Sequence, residues 1–147
     1  MSPWQLFVDQ AGPLAELAQT RLIGRVAYLA TVRPDGGPRV HPVTPRVHDR
    51  RLFVRMHPSS PKVADLRRDP RFALHSQVDN TEGSGGEISV SGTAVIVQDA
   101  AWIENAFDGL PDPDPQRYVV FELDLDDVKV TLYEGGDTIR RRWRADG

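Results

Sequence analysis

The sequence predicts a mainly β chain, an antiparallel barrel with a few short flanking helices (α+β). Three observations predict it. Alternating apolar runs recur along most of the chain, short turn motifs join them in place of long crossovers, and helical spacing is confined to a few short stretches. The 147 residues are read as one domain, 1–147. Halves of about 70 residues would each be hard to stabilise alone.

The elements follow in order. Leu14, Leu17, Ala18 and Leu22 recur at helical spacing after Gly12-Pro13, which predicts a short amphipathic helix. From Arg25 to Val32, Val26, Tyr28, Ala30 and Val32 share one strand face, and Ala27 and Leu29 share the other. Both faces are apolar, so burial on both sides is expected. Pro34-Asp35-Gly36-Gly37-Pro38 is hairpin chemistry. The next strand is expected from about Arg39 to Val47, then a turn at His48-Asp49-Arg50, then a third strand over Leu52 to His57. Pro58-Ser59-Ser60-Pro61 reads as a loop before a short helix that ends near Asp69, because Pro70 pushes the residue before it out of the helical region.

Phe72 to Val78 and Ile88 to Val97 read as strands around a Gly-rich loop over 79–86. Asp99 can cap a helix whose Ile103, Ala106, Phe107 and Leu110 share one stripe. Trp102 and its neighbours on that helix read as core in preference to a subunit contact. After the rigid Pro111–Pro115 segment, strands are expected over Tyr118 to Leu125, Val128 to Tyr133 and Thr138 to Arg144. The total is about seven or eight strands.

Composition excludes several classes of function. Hydrophobic residues make up 39% and charged residues 27%, which is ordinary globular usage. A net charge of −3 argues against a dedicated nucleic-acid binder. With no cysteine, disulfides, Cys-ligated zinc, iron–sulfur clusters and Cys nucleophiles are all excluded. No apolar run is long enough for a transmembrane helix, so no membrane association is expected. Met1-Ser2-Pro3-Trp4-Gln5 lacks the basic and apolar regions of a secretory signal, so a cytoplasmic location is expected.

The feature that carries chemistry is Ser59-Ser60-Pro61-Lys62. Ser60 suits the N-cap and Pro61 the first helical position. Lys62 then stands in the first turn, where the helix dipole is already positive and a cation is unfavourable. An anion there reverses the sign: exposed amides, two hydroxyls and an ammonium form a phosphate cradle, and Arg55 at the end of the third strand can add a second charge. The alternative is a solvated lysine that costs a few tenths of a kcal/mol.

Leu29-Ala30-Thr31-Val32-Arg33-Pro34-Asp35-Gly36-Gly37-Pro38-Arg39-Val40 resembles the opening hairpin of the pyridoxamine 5′-phosphate oxidase-like, FMN-binding split-barrel superfamily. Ser60-Pro61-Lys62-Val63-Ala64-Asp65-Leu66-Arg67-Arg68-Asp69-Pro70-Arg71 resembles its phosphate loop and following helix. The specific likeness covers about Arg25 to His75. The resemblance implies a split β-barrel and a homodimer with FMN at the interface. It places Ser59, Ser60 and Lys62 on the phosphate, Arg55 and Met56 along the ribityl chain and ring, and Val40, His41, Pro42 and Val43 beside the ring, mostly through backbone groups.

Vitamin B6 oxidases proper carry Arg-Lys where this chain has Pro61-Lys62, and their substrate-gripping C-terminal segment is not reproduced at Glu122-Leu123-Asp124. Pyridoxamine phosphate oxidation is therefore not the expected reaction. The expectation is an FMN-dependent oxidoreductase acting on an unidentified small molecule. Two alternatives stand beside it: a deazaflavin (F420)-dependent reductase, and a non-catalytic protein that binds a cofactor or another anion.

The remaining signals are weaker. His41 and His57 fall near the proposed cleft, where either can move a proton. No pair of histidines has the spacing of a zinc site, and no metal is expected. Ser89, Ser91 and Thr93 lie in no nucleophile motif. Arg140, Arg142 and Arg144 share one strand face, with Ile139, Arg141 and Trp143 on the other. That pattern reads as an edge strand with a solvated arginine face and Trp143 inward. Contact with an anionic cofactor tail is the alternative.

Overall fold

Residues 1–146 are described in the computed structural model. They form, in order, α1 (Pro3–Ala11), α2 (Pro13–Leu22), β1 (Ala27–Val32), β2 (Pro38–Val43), β3 (Arg46–His48) and β4 (Arg51–Met56). Then come α3 (Pro61–Arg68), β5 (Arg71–Ser76), β6 (Glu87–Ile96), α4 (Ala100–Phe107), β7 (Val119–Glu134) and β8 (Asp137–Arg144). One antiparallel sheet of 8 strands runs β2-β1-β5-β6-β7-β4-β3, and β8 pairs with β7. The sheet curls around its core. Its end strands, β2 and β3, share no ladder among the described residues, and that gap is the split of the barrel.

Period-two alternation decides what each face buries. Leu29, Leu74, Val90, Phe121 and Leu123 point inward, where Phe7 of α1, Leu22 of α2 and Leu66 of α3 close over them. On the outer face α4 lays Trp102, Ala106 and Phe107 on Phe53 and Val120, with the Trp102 and Phe53 rings edge to face at 5.4 Å. Asp99 caps α4 by accepting from the Trp102 amide. The α4 stripe is core, as its spacing predicts. Trp143 of β8 turns inward against Phe7 and donates from Nε1 to Gln10 at 3.0 Å.

Four features depart from the sequence reading. First, α1 was not expected, although Ser2 caps it and Pro3 opens it. Second, the strand expected over Arg39–Val47 is two strands. Thr44-Pro45 interrupts it: Pro45 has no N–H for a ladder, and its carbonyl accepts from the Gly24 amide at 2.8 Å.

Third, Tyr118–Leu125 and Val128–Tyr133 belong to the single strand β7. The polar Asp126-Asp127 pair reads as a turn, but the ladder absorbs the extra residue in a register shift opposite Ser91 and Gly92. Fourth, β1 is buried on one face only. Tyr28 is 44% exposed and Val40, on the same outer face of β2, is 62% exposed.

Candidate functional site

The first turn of α3 is built as its sequence predicts. Ser60 has extended dihedrals, φ −66° and ψ 133°, and Pro61 follows at the first helical position. The Ser60 hydroxyl does not cap the helix. It accepts instead from Lys62 Nζ at 2.9 Å. No acidic residue sits in this turn. Lys62 is half-buried, and burial pushes its ammonium below the usual lysine range. The helix start therefore gathers free amides, a hydroxyl and a partly desolvated cation, with no acidic residue in that turn to balance them.

The β2 strand brings a second group to the same corner. Its alternation turns Arg39, His41 and Val43 inward and leaves Val40 and Pro42 exposed. Burial, and then the charges of Lys62 and Arg39, hold the His41 imidazole below its ordinary value of 6.5, with Asp65 opposing them. Arg39 donates from Nε to Asp65 Oδ2 at 2.7 Å, and the Thr31 hydroxyl donates to the same oxygen at 2.8 Å. Arg68 reaches Oδ1 at 3.4 Å. Burial alone would raise the Asp65 carboxyl, but the hydrogen bonds from Arg39, Thr31 and Arg68 bring it below the usual range.

Lys62 thus bonds Ser60 and lies near enough to His41 for its charge to lower the imidazole, and Ser59 precedes Ser60 in the chain. Ser59 is exposed, and its hydroxyl bonds His57 Nδ1 at 2.8 Å. The side chains of Val43 and Met56 lie in the core, so only their backbone groups are available to a ligand. Arg55 stands on the outer face instead. Its guanidinium donates to the Asp112 carbonyl at 2.7 Å and to the Pro111 carbonyl, and lies 4.2 Å from the Tyr118 ring centroid and 4.8 Å from that of Phe107.

The cation that β2 joins to α3 is Arg39, through Asp65, and the sequence reading did not single it out. Its signal was the two-residue spacing to His41, which puts both on one strand face. Asp65 was also missed, and a carboxylate inside an arginine-rich helix is a weak pattern without the strand that partners it.

Comparison with known proteins places the chain. Residues 16–132 match the family described as pyridoxamine 5′-phosphate oxidase. No curated protein matches the sequence. PhzG from Burkholderia lata 383, solved in complex with tetrahydrophenazine-1-carboxylic acid, is 17% identical with a TM-score of 0.70, covering 99% of this chain and 88% of that one. An F420 reductase is 22% identical with a TM-score of 0.59, covering 75% of this chain and 94% of that one. The haem storage protein HutZ from Vibrio cholerae is 18% identical with a TM-score of 0.60, covering 76% and 86%. At such identities the structures speak to the fold alone. The family match is broader in sequence: it runs from α2 into β7 and includes both the hairpin and the Lys62 loop. This chain belongs to the pyridoxamine 5′-phosphate oxidase-like family of split β-barrels.

Proposed function

We propose that the chain is an FMN-binding oxidoreductase that anchors the cofactor phosphate with Lys62, Ser60, Ser59 and Arg39. The observation that carries the reading is the half-buried Lys62 ammonium on Ser60 Oγ, 2.9 Å away, at a helix start that holds no acidic residue. This donor set suits a phosphate: a point charge, a guanidinium, hydroxyls and helix amides around one corner. The backbone of Val40–Val43 would flank the ring, with His41 next to the phosphate end. When bound, FMN supplies the hydride chemistry, while the chain binds it, orients it and excludes water. A homodimer is part of this reading. The exposed Tyr28 and Val40 lie on a face that a second copy would cover, with the cofactor at the interface.

F420 in place of FMN is the second reading. The fold likeness to an F420 reductase supports it, and so does Pro61, which leaves the phosphate loop one cation short of an Arg-Lys pair. Titrating FMN and F420 separately into the purified protein, followed by ring fluorescence, tests both. One of the two is expected to bind at tens of micromolar or tighter. If neither perturbs the signal, the cofactor reading fails. Turnover assays with NAD(P)H or reduced F420 then separate an enzyme from a carrier.

A further inference from the structure

We infer that the cavity walled by Lys129, Thr131, Arg140 and Arg142, on the outer face of β7 and β8, binds a compact oxyanion of the diphosphate kind. The Lys62 corner gathers on the inner face, so this inference does not depend on the cofactor reading.

Val128 and Val130 are buried, which turns Lys129 and Thr131 outward. Across the ladder Lys129 stands opposite Arg142, and Thr131 opposite Arg140. Opposed side chains lie about 5 Å apart at Cβ, and same-face neighbours along a strand about 7 Å. The four side chains therefore mark the corners of a small rectangle. They wall a cavity of about 350 Å³, completed by Val130 and Arg141. Alternation turns those two side chains to the other face, so their backbone forms the floor. Three corners are cations, one is a hydroxyl, and no acidic residue lines the cavity.

This arrangement opposes folding, because like charges directly across a strand pair are destabilising. Nearby carboxylates do not cancel it. Asp127 accepts from Arg142 Nε at 2.9 Å and Nη2 at 2.6 Å. The same carboxylate also faces Lys129 and Arg144, so one negative charge serves three positive ones. Glu87, opposite Thr131 on β6, accepts from the Tyr133 hydroxyl and lies 4.0 Å from His75. Of the three cations at the cavity, only Arg142 forms an ion pair among the described residues.

Charge on an edge strand deters further pairing, and that accounts for the β8 arginines. It does not account for Lys129. At that position β7 lies between β6 and β8, so its lysine protects no edge. A bound oxyanion removes the conflict, accepting from two guanidinium groups, an ammonium and a hydroxyl. The small cavity and the net charge of −3 favour a compact ligand over a nucleic-acid strand.

The test titrates inorganic diphosphate into the full chain carrying Lys62→Ala, which removes the cation of the other corner, and follows amide NMR shifts. The shifts are expected to centre on residues 129–131 and 140–142. Adding Arg140→Gln should weaken binding about tenfold. Adding Lys129→Gln should do the same while holding or raising the thermal unfolding midpoint, since it also removes the like-charge contact. Adenosine 5′-diphosphate separates the sources: tighter binding than diphosphate identifies a nucleotide, and equal binding the free anion. Diphosphate that moves no amide of β7 or β8, or that binds both variants unchanged, overturns the inference. Tighter binding of a single-stranded oligonucleotide than of diphosphate overturns it too, in favour of a nucleic-acid surface.

Discussion

Arg39 Nε donates to Asp65 Oδ2 at 2.7 Å, and the Asp65 side chain is only 2% exposed. The contact joins β2, at the split of the barrel, to the helix whose first turn carries Lys62. It fixes the direction of Arg39 and places a buried negative charge behind a cluster of positive ones.

Asp65→Asn tests that role in stability. The amide keeps an acceptor for Thr31 but removes the charge facing Arg39. Since Arg39 is partly exposed, water relieves some of the loss, and about 2–3 kcal/mol of destabilisation is expected at neutral pH. The folded carboxyl lies below its ordinary 3.8, so the contribution is complete above that value and disappears as pH falls through the folded one. Urea unfolding of both proteins should give stabilities that converge in acid. A gap that persists well below pH 3.8 means the charge is not the source.

Lys62→Ala is expected to weaken FMN binding at least tenfold, because a charge-assisted phosphate contact is worth about 1.5–3 kcal/mol. Stability should hardly change, since burial already opposes the ammonium. Fluorescence titration beside a urea curve separates the two effects. Unchanged affinity would move the phosphate away from α3.

Arg55→Ala should behave in the opposite way. Its bonds to the Pro111 and Asp112 carbonyls and its stacking on Tyr118 and Phe107 tie the segment after α4 to the sheet. Losing them should cost about 2–3 kcal/mol. FMN affinity should stay within about twofold of wild type. A tenfold loss of affinity with intact stability would return Arg55 to the cofactor.

These contrasts show which parts of the site are legible from sequence. The α3 start is local: a cap, a proline and a misplaced cation lie within three residues, and dipole physics gives them meaning without the fold. Arg39 meets Asp65 across 26 positions, and Arg55 meets Asp112 across 57. Only strand register and α4 packing create those contacts, and no local pattern encodes them. The fold divides in the same way. Turn chemistry marks the hairpins, while the continuity of β7 depends on a partner glycine more than 30 residues upstream. The α1 spacing of Trp4, Phe7 and Val8 was there to read, and shows that a short first helix is easily passed over.

That partner glycine gives a sharp prediction. A Cβ on Gly92 would lie 1.9 Å from the Asp124 carbonyl oxygen, and backbone cannot move aside cheaply. Gly92→Ala is expected to cost more than about 3 kcal/mol or to prevent folding, whereas Ser91→Ala on the exposed face should stay within about 0.5 kcal/mol. Thermal unfolding of the pair decides it. A tolerated alanine would mean that β6 and β7 do not approach so closely at the bulge.

His41 gives the anion site a reading in stability. Burial, then Lys62 and Arg39, hold its imidazole below 6.5 in the folded protein. Between the folded value and 6.5 the unfolded chain binds more protons than the folded one, so stability falls as pH drops through that window. Above it His41 has no effect, and below the folded value the loss stops growing. A bound dianion offsets Lys62 and Arg39 and should draw the imidazole back up. Without anion, wild type should therefore lose more stability than His41→Asn as the solution is acidified from neutrality, and with sulfate that difference should shrink or reverse. Parallel pH profiles for the two proteins, with and without sulfate, would show that His41 does not share its corner with the two cations.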